Sequence, residues 1–368
     1  MDIKRIMVLA LIMVNLLGTT GCSDNRGVTA SAPPGKELIT VTDCVGRVVQ
    51  VPRNPDRVAC LFAVSTHMLA ILGDSHKIVA VSEGNMRDYM FLHIFPEVEN
   101  ARTPKGSGNF NIEELFKDPA PEIVFCYTDI VQDPKMMEKM EIFGVPVVVI
   151  NFTTVAEQQY TMKLLGQIMG KEQQAQAYND YYQEVLQLVE GRVAGIPEEN
   201  KKVVYHAVNE LLRTDTSNSL PADWLPRTGI KNVGVGPEEK AGGKNFLTLE
   251  QFFMLDPEYM IINGSDVIQY IEANEKMHNL AAYQKGNLKL MPLGVSRWGH
   301  PYSVETPLAI LWTAKTIYPE MFPDVDLNQE TRTFYQRFFH YQLSDTEVEK
   351  IMEGKEYKKI VGGVDANR

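Results

Sequence analysis

The sequence predicts an α/β protein of two lobes joined by a helical segment, and three observations predict it. Short apolar runs alternate with helical stretches up to Asn151. A proline-free segment from Val155 to Arg192 then carries apolar residues at helical spacing. Beyond Pro197 the alternation of strand and helix begins again.

In the first lobe, Leu38 to Val51 alternates around Val45-Gly46-Arg47 and reads as a hairpin ending at Pro52. Buried strands are expected at Arg57–Phe62, Lys77–Val81, Glu122–Tyr127 and Pro146–Asn151, with a helix from about Ser65 to Leu72 stopped by Gly73. In the linking segment, Leu165, Ile168, Met169, Ala175, Tyr178, Tyr182, Val185 and Val189 fall on one face. A continuous helix there would span roughly 55 Å, whereas a break near Gly170, with Gly166 close by, gives a helix-turn-helix. Strands of the second lobe are expected at Lys202–Ala207, Tyr259–Asn263 and Leu288–Leu293. Residues Glu330 to Gly354 look helical and aromatic-rich, a tail that packs on the second lobe.

A faint repeat relates the lobes. Asn111-Ile112-Glu113-Glu114-Leu115-Phe116 followed by Pro121-Glu122-Ile123 is echoed by Thr248-Leu249-Glu250-Gln251-Phe252-Phe253 followed by Pro257-Glu258-Tyr259. Each describes a helix that follows a glycine-rich loop and leads through Pro-Glu into a buried strand.

The chain has 368 residues, 44% of them hydrophobic, enough for two packed cores. Its first residues read as an export signal. Lys4 and Arg5 precede the apolar run Ile6 to Leu17, and Gly18-Thr19-Thr20-Gly21 supplies small residues before Cys22. The run is shorter than the ~20 residues that cross a bilayer. Gly21-Cys22 resembles the lipobox of bacterial lipoproteins, with Thr19 where leucine is usual, which implies lipidation at Cys22. Residues 23–36 are then a flexible tether. Plain cleavage near Cys22 with release of a soluble protein is the alternative.

The formal net charge is −11, and loss of the leader makes it one unit more negative, which argues against a nucleic-acid partner. Cys44, Cys60 and Cys126 are widely spaced without a CxxC pair, and the last two sit in strand-like runs as small buried hydrophobes. No G-x-S-x-G elbow, P-loop, H-E-x-x-H or CxxC pair is present, and Gly234-Val235-Gly236 is too little for a dinucleotide fingerprint. An enzyme is therefore not expected, nor is a cofactor.

The entry Asp43-Cys44-Val45-Gly46-Arg47-Val48-Val49-Gln50-Val51-Pro52, followed by Pro55-Asp56-Arg57-Val58, resembles the start of the class III, helical-backbone solute-binding proteins of ABC importers. Their cargoes include ferric siderophores, haem, cobalamin and some metal oxyanions. The resemblance covers nearly everything after Lys36. It implies two Rossmann-like lobes, 37–154 and 193–368, joined by one long backbone helix, 155–192, with a ligand cleft between them. It also implies a monomer that partners an ABC permease and its ATPase. The stretch from Arg297-Trp298-Gly299-His300-Pro301-Tyr302 through Trp312, Lys315 and Asp324 to Leu327 is similar to a longer-tailed subgroup that includes iron-complex proteins and relatives of molybdate and tungstate binders.

In that family a surface glutamate on each lobe docks onto the permease. The repeat places Glu113 and Glu250 there, with Glu114 as the adjacent competitor; plain helix-dipole stabilisation is the other role open to them. Cleft residues come from loops at strand ends. Ser65 and Thr66 open a helix, where Ser65 is either a ligand contact or an N-cap. Arg87 meets an anion or water, and Tyr127 ends a strand. Lys105, Ser107 and Asn109 flank glycines that let backbone approach a ligand. In the second lobe the candidates are Arg213, Lys244, Asn245, Arg297, Trp298, His300 and Tyr302. Arg297 to Tyr302 is the strongest group, a guanidinium, a large ring, an imidazole and a phenol within six residues; the alternative there is a packed Trp298 with Arg297 paired to Glu305. His300 is either a direct metal ligand or structural. Ser107 and Lys244 stand where a cobalamin-binding relative carries stacking aromatics, which argues against that cargo. The expected cargo is an anionic metal complex, first a ferric siderophore or related iron compound, with molybdate or tungstate, then cobalamin or haem, as alternatives. The rival classes are an extracytoplasmic metal chelatase and a metal-ion receptor built from His67, His76, His93, His206 and His300.

Overall fold

The computed structural model describes residues 36–106, 109–236 and 244–355. The leader, Cys22, most of the tether and Ser107 lie outside these residues.

The strands are β1 (Leu38–Thr42), β2 (Val48–Pro52), β3 (Val58–Cys60), β4 (Ile78–Ser82), β5 (Arg102–Gly106), β6 (Asn109–Phe110), β7 (Ile123–Cys126), β8 (Val147–Val149), β9 (Val203–Ala207), β10 (Arg213–Thr214), β11 (Lys231–Val233), β12 (Asn245–Phe246), β13 (Tyr259–Ile262) and β14 (Leu288–Leu290). The first lobe holds a six-stranded sheet in the order β6-β5-β4-β3-β7-β8, parallel except for the edge strand β6. The second holds a parallel sheet in the order β11-β9-β13-β14. In each the strand order reverses direction once, between β3 and β7 and between β9 and β13. Crevices at the carboxyl ends of such switch points are where ligands bind in open α/β sheets.

The Asp43-to-Arg47 motif is a self-locking turn. Gly46 takes φ +81°, and the buried Asp43 carboxylate accepts from the backbone N–H groups of Val45 at 3.1 Å, Arg47 at 2.9 Å and Val149 at 3.2 Å. Arg47 closes the ion pair at 2.7 Å. One carboxylate thus forms the β1–β2 turn and welds it to β8.

The linking segment is not one helix. It divides into Val155–Met169 and Glu172–Val193, which run antiparallel: Gln158 meets Tyr182 at 3.0 Å, and Gln159 meets Asn179 and Gln183. Gly170 is left-handed at φ +65° and ends the first helix, while Gly166 has no Cβ to strike Ala175 across the hairpin. The single 155–192 helix expected from the resemblance is therefore corrected to the helix-turn-helix alternative. The second helix alone is about 33 Å long at the standard rise. A Cβ on residue 170 would meet only Asn54, at an ordinary 3.7 Å, so Gly170→Ala carries the conformational cost alone. Thermal unfolding should show a loss of about 1 kcal/mol.

One continuous core runs through both lobes, from Val41 to Ile351, along the faces that pack on the linking hairpin. The helix Thr306–Ile317 is buried on nearly every side within it, and Tyr178 Oη donates to Val304 O at 2.7 Å. The opposite face of each sheet has its own smaller core. Cys60 and Cys126 are buried and unpaired, and burial pushes both thiols up to about 12, which fits inert packing.

The tail, helices Leu327–Phe338 and Asp345–Met352, does more than pack on the second lobe. Phe334 and Phe338 pack on Tyr181 and Tyr178 of the linking hairpin, and Phe339 and Tyr341 reach Phe95 and His93 of the first lobe.

Candidate functional site

Three segments at strand ends enclose a cavity of about 490 Å³ between the lobes. Phe62 to His67 follows β3, Gly84 to Met90 follows β4, and Leu293 to Tyr302 follows β14. The first two belong to one lobe and the third to the other.

Of the residues expected there from sequence, Arg87, Arg297, His300 and Tyr302 line the cavity. Tyr127 lies just behind it, its ring 5.0 Å from Phe62 and its hydroxyl 3.4 Å from that of Tyr302, an aromatic contact between lobes. Trp298 is fully buried beneath the loop. Arg213 does not line the cavity, but its charge reaches His300.

The other candidates serve the frame. Ser65 is buried and its hydroxyl donates to Phe62 O at 2.6 Å, so it neither faces the cavity nor caps the helix Ala63–Ile71. Thr66 Oγ1 donates to Asn85 Oδ1 at 3.2 Å, tying that helix to the next loop. Lys105 pairs with Asp129 at 2.7 Å, outside the cavity wall. Asn245 is buried and its amide donates to Asp215 O at 2.9 Å and Gly234 O at 2.8 Å, while Lys244 is exposed off the cavity. The Asn109 side chain lies outside the described residues.

The sequence offered His67 only as one of several dispersed histidines and gave no sign of its pairing with Asp88; their side-chain atoms are 3.2 Å apart and both residues line the cavity. His67 is almost completely buried, its ring 4.7 Å from Phe91. A lone histidine one turn into an apolar helix was the available signal. Among the described residues no group of three His, Cys, Asp or Glu side chains is placed to hold a metal ion.

Two histidines of the second lobe have opposite electrostatics. Burial pushes His300 down to about 4; Asp88 opposes this, and the charges of Arg213 and Arg297 reinforce it. It is neutral at physiological pH. Its Nδ1 accepts from Tyr302 N at 3.3 Å, which leaves Nε2 as the N–H donor. For His206, burial alone would lower the value, but Asp215, 2.9 Å from Nδ1, outweighs it and the net direction is upward. Asn263 Nδ2 donates to Gly299 O at 3.4 Å, so its Oδ1, 3.1 Å from His206 Nε2, accepts, and both ring nitrogens of His206 donate.

These directions give opposite pH dependences. Between about pH 6.5 and 4 the unfolded chain takes up a proton at His300 that the folded chain refuses, so acidification through that window lowers stability. The His206–Asp215 contribution is complete below about pH 6.5 and is lost as pH rises through the elevated folded value. Urea unfolding of His300→Gln should show a shallower acid-side decline than the parent.

Glu113 and Glu250 are exposed and equivalent. Each is the second residue of a helix, Ile112–Phe116 and Leu249–Leu255, whose N-cap already serves the free N–H groups: Asn111 accepts from Glu114 N at 3.0 Å and Thr248 from Gln251 N at 3.2 Å. An Asn-Phe strand precedes each helix, β6 and β12, so the repeat extends further than the sequence suggested.

A family model described as periplasmic binding protein matches residues 58–293. The molybdate-binding protein MolA of Haemophilus influenzae is 25% identical over 325 residues, which cover 81% of this chain and 90% of that protein. A periplasmic solute binding protein from Veillonella parvula has a crystal structure similar to this one, with a TM-score of 0.73 and 26% identity over 86% of this chain and 97% of that one. The structure of H. influenzae MolA bound to molybdate gives a TM-score of 0.72 at 22% identity, over 83% and 99% of the two chains.

Proposed function

Because the chain belongs to the periplasmic binding protein family, we propose that its cleft captures a metal oxyanion of the molybdate class for delivery to an ABC permease. The observation that carries this reading is the convergence of Arg87 and Arg297 on one cavity from opposite lobes, joined by the neutral imidazole of His300. Guanidinium groups and an N–H donor match the oxygens of a small dianion, and contacts from both lobes make binding drive closure. The resemblance to MolA supports the same cargo.

A ferric chelate, the cargo favoured from sequence, is the second reading. A cavity of about 490 Å³ exceeds a single oxyanion, and Phe62, Tyr89 and Tyr302 offer aromatic faces to catecholate rings. Isothermal titration of the purified protein with molybdate, tungstate, sulfate and a ferric tris-catecholate separates the readings. Tight binding of molybdate and tungstate with none of the catecholate is expected; catecholate binding alone reverses the assignment.

The family and its location outside the cytoplasm fit the leader-like first residues, and no described helix is long and apolar enough to cross a membrane. We further propose lipidation at Cys22, a tether over 23–36, a monomeric body, and docking of Glu113 and Glu250 on the permease. Cys22→Ser should shift the protein from the membrane to the soluble fraction without altering molybdate binding.

A further inference from the structure

The wall of the cavity formed by residues 293–296 is hung on the C-terminal tail, beyond the part of the chain that the family model matches. Leu293 N donates to Ile351 O at 3.0 Å, and Val295 N donates to the phenolic oxygen of Tyr335 at 2.9 Å. Tyr335 Oη in turn donates to Glu305 Oε1 at 2.7 Å, and Glu305 Oε2 accepts from Ser296 N at 2.9 Å. Glu305 and Tyr335 are both fully buried, so these donors and acceptors have no water to fall back on. A Cβ at Gly294 would collide with Glu305 Oε1 and Tyr335 Oη, which is why this stretch of wall can lie against the pair. The same tail holds the opposite wall: Phe339 packs on Phe95, and Tyr341 Oη is 3.0 Å from His93 Nε2, at the far end of the helix whose first residues, Tyr89 and Met90, line the cavity.

We infer that the tail is a brace for the binding cleft, with Tyr335 the positioning residue that fixes the 293–296 wall through Val295 and Glu305. The inference rests on the reading of this cleft as the solute site, and it assigns solute selectivity partly to residues that never touch the solute. Tyr335→Phe removes one oxygen and keeps the ring, leaving Val295 N–H and a Glu305 oxygen buried without that partner. Gly294→Ala keeps both partners and displaces the wall. Thr331→Val, on the same helix, loses a buried hydroxyl that donates to Leu327 O at 2.7 Å and lies 3.8 Å from Met352 Sδ, with no hydrogen bond to residues 293–296, so it controls for tail stability.

The test labels the full chain with 5-fluorotryptophan, reads the Trp298 resonance without ligand, and titrates sodium molybdate by calorimetry. Tyr335→Phe and Gly294→Ala are expected to shift the Trp298 resonance and weaken molybdate binding about tenfold, because each displaces the wall that leads into Arg297 and His300. Thr331→Val should leave both unchanged. An unshifted Trp298 in a folded Tyr335→Phe or Gly294→Ala protein overturns the inference, and so does equal weakening by Thr331→Val. If the parent protein ignores molybdate while Trp298 still shifts in both variants, the cargo assignment fails and the brace stands.

Discussion

Arg297→Ala is expected to weaken molybdate binding at least a hundredfold, and Arg87→Ala by about tenfold. A charged hydrogen bond is worth about 1.5–3 kcal/mol, and removal of a guanidinium takes two such donors from a dianion held out of bulk water. Arg297 is half-buried and Arg87 is exposed at the rim, so solvent screens the second far more than the first. The two come from opposite lobes, and losing both should leave no measurable binding. Lys244→Ala is the internal control: an exposed lysine away from the cavity should change affinity by less than about twofold. Calorimetry at two salt concentrations decides it, because the Arg87 contribution should shrink with salt and that of Arg297 should persist. Parental affinity in Arg297→Ala would sink the cleft assignment.

The strands legible in the sequence were those buried on both faces, such as Val58–Cys60 and Tyr259–Ile262, whose runs are continuous and apolar. Among the ones missed are Arg102–Gly106 and Lys231–Val233, where proline and charge obscure the pattern and pairing with neighbours does the folding. The linking segment misled because both of its helices keep apolar residues on one face, and periodicity continues across a left-handed glycine. Only the two glycines, four residues apart, carried the reversal. Within the site, Arg297 to Tyr302 was legible as a concentration of chemistry in one loop. Ser65 and Thr66 were not distinguishable from ligand contacts, because whether a hydroxyl near a helix start turns outward or back to a carbonyl is decided by the packing around it. His67 and Asp88 are 21 residues apart, and only the fold brings them together.

The tail shows the same limit from the other side. Its aromatic content announced that it packs, but Tyr335 reaching Val295 and Tyr341 reaching His93 depend on how the linking hairpin sets the two lobes. A brace of this kind would hold the lobes to small excursions, and the docking surfaces proposed at Glu113 and Glu250 would then keep a nearly fixed separation.

That fixed separation gives the second large prediction. Glu113→Gln with Glu250→Gln should leave molybdate affinity unchanged and abolish permease-dependent uptake. Neither carboxylate caps its helix, since Asn111 and Thr248 already do so, and the helix-dipole benefit lost is about 0.3–1 kcal/mol for each exposed site. Folding should therefore survive the double substitution. Docking should not, because two rim charges at a set distance both guide the encounter and fix its register. Either substitution alone should leave partial transport, as one lobe still engages. Transport of labelled molybdate by the permease in proteoliposomes, beside calorimetry on the same proteins, separates capture from delivery. Uptake that persists in the double variant would assign docking to other residues, with Glu114, adjacent to Glu113, the first to replace.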